Sequence, residues 1–341
     1  MDQHRAWRAV ADWYHGFFVG LVLRTVVQKG TDDAAKLVFR TFRTQHHRRF
    51  LPGLQKLGLT GLPHAVAAAQ YHYLSNRIGG VSVEYMPCSD RKAWVRFPPP
   101  RWAWRGVAIC GIPTPVSEAM LRGWQAHNGV SLGNPRLGFV CTKMAVDGDA
   151  GLEGYFQEYD HALAPEDRLR FARHEEAPPF DPALAPQLEW PAERLAKAHR
   201  AYAMEYVRSA LPACIDLFGA ESARFLAGGA ARLVGMQLYA ETAAALDITP
   251  DGTPGTFARF MTRLAEAQGD DASVTTGPSG ITVQQTNVSL IAGIPNPHPA
   301  IQECWAALLD GALAAHNHRL SMRRDGLIWR IASGEPDGVR R

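Results

Sequence analysis

The chain has no CxxC pair, and its five cysteines (Cys88, Cys110, Cys141, Cys214 and Cys304) are odd in number and widely spaced. That excludes a disulfide framework and a zinc ribbon, and reduced thiols in the cytoplasm are the simplest reading. It lacks a long apolar run: the most apolar stretch, residues 16–27, contains Arg24 and is too short to span a bilayer. The start, Met1-Asp2-Gln3-His4-Arg5, lacks the basic-then-apolar order of a signal peptide. A soluble protein with no membrane partner is expected. Charge of neither sign is in excess, with 36 Lys and Arg against 33 Asp and Glu, so nucleic acid is not expected as a partner. There is no P-loop, GxGxxG, GxSxG, HExxH or EF-hand, which argues against nucleotide-driven and zinc-peptidase chemistry. His298 and Cys304 match no standard metal spacing, and neither cofactor nor metal is expected. What is present is ordinary globular material: 341 residues, 46% hydrophobic and 20% charged, which suits two domains of about 150 residues.

The pattern along the chain runs twice through one order. Residues 6–28 read as a helix, which Gly30 breaks. Thr31-Asp32-Asp33 then offers an N-cap and a negative first turn for a second helix to about Leu57. Pro63 opens a third helix that stops at Gly79-Gly80. The period then changes to two: Val81–Tyr85 and Ala93–Phe97 alternate as half-buried strands around a turn at Pro87-Cys88-Ser89-Asp90. A fourth helix, Pro113 to His127, precedes two strands, Arg136–Val146 and Gly154–Tyr159, turned at Asp147-Gly148-Asp149-Ala150-Gly151. After Trp190-Pro191 the same order returns. Helices run to Leu217, from Gly219 to Leu246 and from Pro254 to Gly269. A hairpin follows, Ser273–Thr276 with Ile281–Asn287, then a helix Pro299–Asn317 and strands Arg319–Arg323 and Leu327–Ile331. Identities mark the register. Gly30 matches Gly219, and Ala126-His127-Asn128 matches Ala315-His316-Asn317, both at an offset of 189. Gly111-Ile112-Pro113 matches Gly293-Ile294-Pro295 at 182, and Asp147-Gly148 matches Asp325-Gly326.

The fold expected is therefore α+β: two tandem copies of a unit with helices packed on one face of a small antiparallel sheet, related as a pseudo-two-fold pseudo-dimer. The first copy is read as 1–174, a proline-rich linker as 175–191, the second, diverged copy as 192–335, and a tail as 336–341. The linker holds Pro178, Pro179, Pro182, Pro186 and Pro191 and should be extended and semi-rigid. A self-complementary unit of this kind is also compatible with a homodimer.

Residues 79–160 resemble the L-2-amino-thiazoline-4-carboxylic acid hydrolase-like family, itself related in layout to 4-vinyl reductase-like small-molecule-binding domains. The resemblance is carried by strand Trp94–Phe97 followed by Pro98, the helix ending His127-Asn128, and Asn134-Pro135-Arg136-Leu137-Gly138-Phe139 leading to Gly148-Asp149. It covers about 80 residues well and the helices before them loosely. Membership would imply ring-opening hydrolysis of a small heterocyclic or amide-like molecule. Where the family pattern has cysteines, before the proline and after Gly-Asp, this chain has Phe97 and Leu152, so a thiol-dependent version is not carried over.

The residues that could carry chemistry each have a plainer role open to them. His127-Asn128 and His316-Asn317 end helices, where a histidine caps the last carbonyls and asparagine tolerates the left-handed position. The alternative is a general base or a ligand contact. Cys141, in a strand, is a small buried hydrophobe or a nucleophile, and a nucleophile needs an adjacent base. Glu84 is a solvated strand residue or a buried acid or base. His46-His47-Arg48-Arg49 is a solvated basic face or an anion contact. His15 and His72 lie among aromatics, which are core or the wall of a small apolar pocket. The catalytic candidates are His127 as base, Glu84 or Asp149 in support, and Cys141 as nucleophile. The ligand-binding candidates are Trp124, Asn128, His72, Tyr85, Gln285, Asn287 and His316. Two readings follow: a hydrolase of C–N bonds in a small cyclic amide-like or thiazoline-like molecule, with its pocket between helices and sheet of the first copy, or a non-catalytic small-molecule sensor or carrier.

Overall fold

A computed structural model describes residues 2–100, 103–187, 190–278 and 280–333. The proposed tail, 336–341, lies outside them, as do residues 334–335 at the end of the second copy and Ser279 of the second hairpin turn. Helices α1 (Gln3–Lys29), α2 (Thr31–Lys56) and α3 (His64–Ile78) come first. They are followed by hairpin β1 (Glu84–Ser89) and β2 (Lys92–Phe97), helices α4 (Thr114–Gly123) and α5 (Asn128–Ser131), and strands β3 (Leu137–Lys143), β4 (Leu152–Glu158) and β5 (Leu169–Phe171). The second half holds α6 (Ala192–Ala223), α7 (Gly229–Ala245), α8 (Pro254–Gln268), β6 (Ala272–Gly277), β7 (Gly280–Gln285), α9 (Ser289–Ala292), α10 (Pro299–Asn317), β8 (Leu320–Asp325) and β9 (Ile328–Ser333). The class is α+β, as the periods imply.

The chain forms two compact units, divided otherwise than the sequence halves: Thr25–Ala198 is one, and Met1–Arg24 joins His199–Arg341 in the other. The physical reason is in α1. Its buried stripe of Trp13, Tyr14, Phe17 and Phe18 is completed by residues of the second half, with Trp13 edge-on to Phe260 at 6.2 Å and Phe18 by Tyr206 at 5.2 Å.

In the Thr25–Ala198 unit the sheet order is β1-β2-β4-β3-β5, antiparallel except that β3 and β5 run parallel. β5 is a strand that composition alone did not mark. The first strand begins at Glu84 rather than Val81, and the hairpin turns at Asp90-Arg91, past the Pro87–Asp90 turn expected. Gly30 sits before α2 with φ 89° and ψ 174°, so it takes the N-cap position expected of Thr31-Asp32-Asp33. Thr31 is already helical, and Asp32 and Asp33 occupy the first turn. α2 packs closely on α4, because Gly123 has no side chain: a Cβ there would lie 2.8 Å from Phe39 O. α3 lies over the sheet, where His72 stacks on Phe156 of β4 at 5.3 Å. The opposite face of the sheet is covered too. Met86, Trp94, Val140 and Tyr155 form a buried cluster roofed by Ala172, Ala177 and Phe180. The proline-rich linker thus packs on the sheet rather than spacing two bodies, because its few apolar residues meet an apolar face that would otherwise be wet.

The other unit has a sheet of order β6-β7-β9-β8, all antiparallel. Setting β5 aside, this is the order β1-β2-β4-β3 of the first sheet. Gly219, within α6, has φ 80° and ψ 160°, close to the values of Gly30. α7 and α10 touch through two glycines, Gly235 against Leu308 O and Gly311 against Arg232 O. Thr253 caps α8 through Thr256 N, and Gly269 ends it in the left-handed conformation.

Candidate functional site

The chemistry of the Thr25–Ala198 unit gathers where α2, α3 and the end of α4 meet. The buried stripe of α2 is apolar at Leu37, Val38, Phe42, Phe50 and Leu54 and turns polar at Gln45 and His46. His47, the next residue along, is exposed. After Gly123 the helix does not run on to His127. Trp124 leaves helical geometry (φ −111°, ψ −74°), Gln125–His127 make a 3-10 turn, and α5 starts at Asn128. Asn128 is right-handed (φ −56°, ψ −44°), so the helix-end account of His127-Asn128, with asparagine in the left-handed position, does not describe it. Gly129 lets this turn press on β3: a Cβ would be 2.5 Å from Leu137 O.

The result is a cluster of imidazoles around an indole. The His46 ring centre is 5.1 Å from His127 and 5.5 Å from Trp124, both edge to face, and 4.7 Å from Phe50, stacked. His47 is 5.0 Å from His127, and His72 is 6.3 Å from Trp124. Asn128 Nδ2 donates to His72 Nε2 at 3.1 Å, and His46 Nε2 bonds Ser131 Oγ at 2.9 Å. His127 is half-buried, and its ring nitrogens have no hydrogen-bond partner among the described residues. Burial is the main cause that lowers all three inner histidines: His46 to about 2, His72 to about 3 and His127 to about 4. The neighbouring Arg43, His47 and Arg168 add to the lowering at His127. At neutral pH these are neutral imidazoles, each able to donate once and accept once. Five buried polar atoms of the neighbourhood have no partner among the described residues: His46 Nδ1, Gln45 Nε2, Trp124 Nε1, Gln125 Oε1 and Asn128 Oδ1. Each such atom costs about 1–3 kcal/mol if nothing meets it. The ring spacings of His46, His47 and His127 invite comparison with a metal site, but among the described residues no group of three His, Cys, Asp or Glu is placed to hold a metal ion.

Four of the candidates from sequence, His127, Trp124, Asn128 and His72, are thus brought together, with His46 and His47. The others lie elsewhere. Glu84 belongs to the linker-covered face, where Arg96 bonds it at 2.5 Å and also reaches Glu153 at 3.7 Å. Glu153 in turn accepts from Thr142 Oγ1 and Ala177 N. Tyr85 meets α3 at Gln70 and Tyr73, away from His72. Asp149 closes the β3–β4 turn by accepting from Met144 N at 2.7 Å and pairing with Arg173. Cys141 is buried in β3 with Sγ 3.4 Å from Lys143 O, and burial pushes its thiol up to about 12. Among the described residues no base is seen bonded to it, and burial opposes the thiolate.

In the other unit, His316 is held at both nitrogens, by Tyr239 OH at 2.6 Å and Thr253 O at 2.9 Å. The His316 ring meets Tyr239 at 5.6 Å and 81°, nearly the geometry of His127 with His46 at 5.1 Å and 79°. Tyr239 therefore stands where His46 stands. The helix-contact register agrees: Gly123 abuts Phe39 and Arg43 as Gly311 abuts Arg232 and Met236. This places Gly235, which the offset of 189 would pair with His46, one helical turn too early. Gln285 lines a cavity of about 10 Å³ with Trp13, Gln268 and Trp305, room for one water. Its Oε1 accepts from Trp329 Nε1 at 3.0 Å. Asn287 bonds Asp271 N and Asp270 in a loop.

Gln45, Gln125, Ser131 and Arg168 were missed from sequence. Gln45 carried a usable signal, a polar residue on the buried stripe of an amphipathic helix. Compared with known protein families, curated proteins and solved structures, the chain has no match.

Proposed function

We propose that the Thr25–Ala198 unit binds a small, flat, polar molecule at the histidine cluster and works as a sensor or carrier without turning its ligand over. The observation that carries this reading is the set of five unpartnered buried polar atoms around Trp124, next to three neutral imidazoles. Buried polar groups in folded proteins are nearly always met, so groups left open together mark a place where solvent or a ligand belongs. Trp124 and Tyr71, stacked at 6.4 Å, offer flat aromatic surface beside them. A catalytic assembly would want an oriented base and a nucleophile within hydrogen-bond reach. Cys141, Glu84 and Asp149 are each engaged elsewhere.

The hydrolase reading implied by the family resemblance keeps one observation in its favour. His127 is uncharged at neutral pH and half-buried, so its ring can take a proton from a bound water. We also propose that the two units arose by tandem duplication, in support of which stand the shared strand order, the paired Gly30 and Gly219, and the matched ring pairs. On that account the second unit has closed its site with the Tyr239–His316 bond. The five free cysteines suit a reducing compartment, the cytoplasm.

The test is a thermal-shift and turnover screen of thiazolines, lactams and hydantoins on the wild type and on His46→Phe. Binding predicts compounds that stabilise the wild type by about 2.7 kcal/mol at a hundred times Kd, leave His46→Phe unmoved and are recovered unchanged. Stabilisation that is equal in both proteins removes the site. Turnover lost in His127→Ala replaces the sensor with the enzyme.

A further inference from the structure

We propose that β6 is an interface: two copies of this chain pair antiparallel along its free edge, across a two-fold axis at Val274, and join their four-stranded sheets into one.

The two sheets have four edges, formed by β1, β5, β6 and β8. An edge strand presents a row of unpaired N–H and C=O groups, and proteins that stay apart guard it with charge, proline, a bulge, shortness or a cover. Three of the four are guarded. β1 holds Pro87, breaks register between Pro87 and Ser89, and has the 3-10 turn Pro182–Leu184 lying against it. β5 is three residues long and carries Arg170. β8 carries Arg323, Arg324 and Asp325. Among the described residues β6 has none of these guards. It reads Ala272-Ser273-Val274-Thr275-Thr276-Gly277, without charge or proline, and it keeps register with β7 from end to end. Residues 273–277 are all exposed.

The hairpin decides which backbone groups point outward. The pair Gly277–Gly280 closes it, and at the other end Thr286 N donates to Asp271 O at 3.0 Å. Antiparallel bonds recur at every second residue. Ser273 and Thr275 therefore turn their N–H and C=O groups to β7, and Ala272, Val274 and Thr276 turn theirs to the free edge. The side chain of Val274 lies on the buried face of the sheet. Its cross-strand partner Val283 is fully buried, while Val274 is 41% exposed because it stands on the last strand.

The occupant that fits is a second β6. Two strands related by a two-fold axis keep their buried faces on one side only if even-numbered residues meet even and odd meet odd. With the outward groups of both copies in full overlap, Val274 meets Val274. Ser273 then falls opposite Thr275, Ala272 opposite Thr276 and Asp271 opposite Gly277. No like charges meet, hydroxyl side chains face hydroxyl side chains, and each Val274 covers the other. A six-residue ladder is smaller than a standard interface, so the pairing is weak and depends on concentration.

Sedimentation velocity on the full-length protein from about 1 µM to about 500 µM tests this. The wild type should pass from monomer to dimer across that range. Val274→Lys sets two ammonium groups opposite one another and should raise the dissociation constant about tenfold or more. Val27→Lys adds the same charge at an exposed valine outside the sheet and should leave it unchanged. Circular dichroism and melting temperature check that both variants are folded. Oxidative crosslinking reads the register. In a Cys88→Ser/Cys110→Ser background, which removes the exposed thiols, Val274→Cys should give a disulfide-linked dimer, because directly opposed residues have Cα atoms about 5.5 Å apart. Thr276→Cys in the same background should not, since its partner is Ala272. A wild type that stays monomeric at the highest concentration, a dimer that Val274→Lys leaves intact, or crosslinking at Thr276→Cys in preference to Val274→Cys overturns the inference. So does an added extended peptide that protects the β6 amides from exchange in a protein that never dimerises, since the edge then belongs to another partner.

Discussion

Acidification should unfold this protein through its buried histidines, and His46 allows the effect to be isolated. Burial holds His46 near 2 and His72 near 3, whereas in the unfolded chain both return to about 6.5. Between those values the unfolded state binds protons that the folded state refuses. Their contribution is therefore complete above about 6.5 and is lost progressively as pH falls. From pH 6.5 to pH 5 each histidine forfeits about 1.7 kcal/mol, and the two together about 3 kcal/mol. His127 adds less, since it is more open to solvent. Asp270 and Asp310, whose carboxyls burial raises, oppose the trend. They are present in wild type and variant alike and cancel in a difference. Replacing His46 with phenylalanine removes one titrating group and keeps a flat ring against Phe50, Trp124 and His127. At pH 7 the variant loses the bond to Ser131 and is relieved of an unmet Nδ1, two effects of about 1 kcal/mol or a little more that oppose each other. It should lie near the wild type. Urea titrations from pH 7 to pH 5 should then show the variant gaining about 1.7 kcal/mol on the wild type over the lower part of that range. Parallel stability curves would mean that His46 accepts a proton while folded, and the reasoning about a neutral cluster would fail.

Two further outcomes follow from burial. In the native protein only Cys88 and Cys110 are exposed, and burial raises Cys141 to about 12 and Cys304 to about 11, so Ellman's reagent at pH 8 should titrate two thiols rapidly and the remainder only in denaturant. A third fast thiol would contradict the burial of Cys141. In the other unit, Tyr14 accepts from Trp305 Nε1 and donates to Gln268 Oε1. Tyr14→Phe should cost about 2–4 kcal/mol by leaving both unmet, measured by thermal denaturation, and a loss below about 1 kcal/mol would show that water replaces the hydroxyl.

Most of the elements were legible from sequence because their signals are local. The change of period near residue 81, the prolines that open α8 and α10 and the glycines that end α3 and α8 act within a turn of where they stand. The grouping of elements was not. α1 reads as the first helix of the first half, yet its aromatic stripe is buried with the second, and no local pattern says which of two similar surfaces a helix will cover. The linker was misread for the same kind of reason. It is not extended throughout, since Pro182–Leu184 make a 3-10 turn; Ala177 and Phe180 give it a place to lie, and two apolar residues are too few to register as a pattern. At the site, the His127-Asn128 pair was visible because it recurs, while its partners in α2 read as a solvated face first and an anion contact second. Half of that judgement holds: His47 is exposed and His46 is buried. Adjacent helical residues point about 100° apart, so one polar pair can serve surface and core at once.

The two ring pairs differ in whether the ring beside the histidine bonds it. His316 and His127 occupy like positions, and each meets a ring from the preceding long helix at nearly a right angle. Where that ring is Tyr239, a hydroxyl reaches His316 Nδ1 and leaves the histidine with nothing to offer. Where it is His46, the shorter side chain turns to Ser131 and leaves the nitrogens of His127 unclaimed. A tyrosine hydroxyl stands one C–O bond beyond its ring and so bonds the neighbouring imidazole, while the His46 ring at a like distance does not. The identity of a single residue in α2 or α7 thus decides whether the histidine that follows α4 or ends α10 is bonded by the ring beside it. His46→Tyr should accordingly close the first site: the new hydroxyl should bond His127, raise stability by about 1 kcal/mol and abolish whatever binding the wild type shows. If His46→Tyr binds as the wild type does, the open nitrogens of His127 are not what holds the ligand.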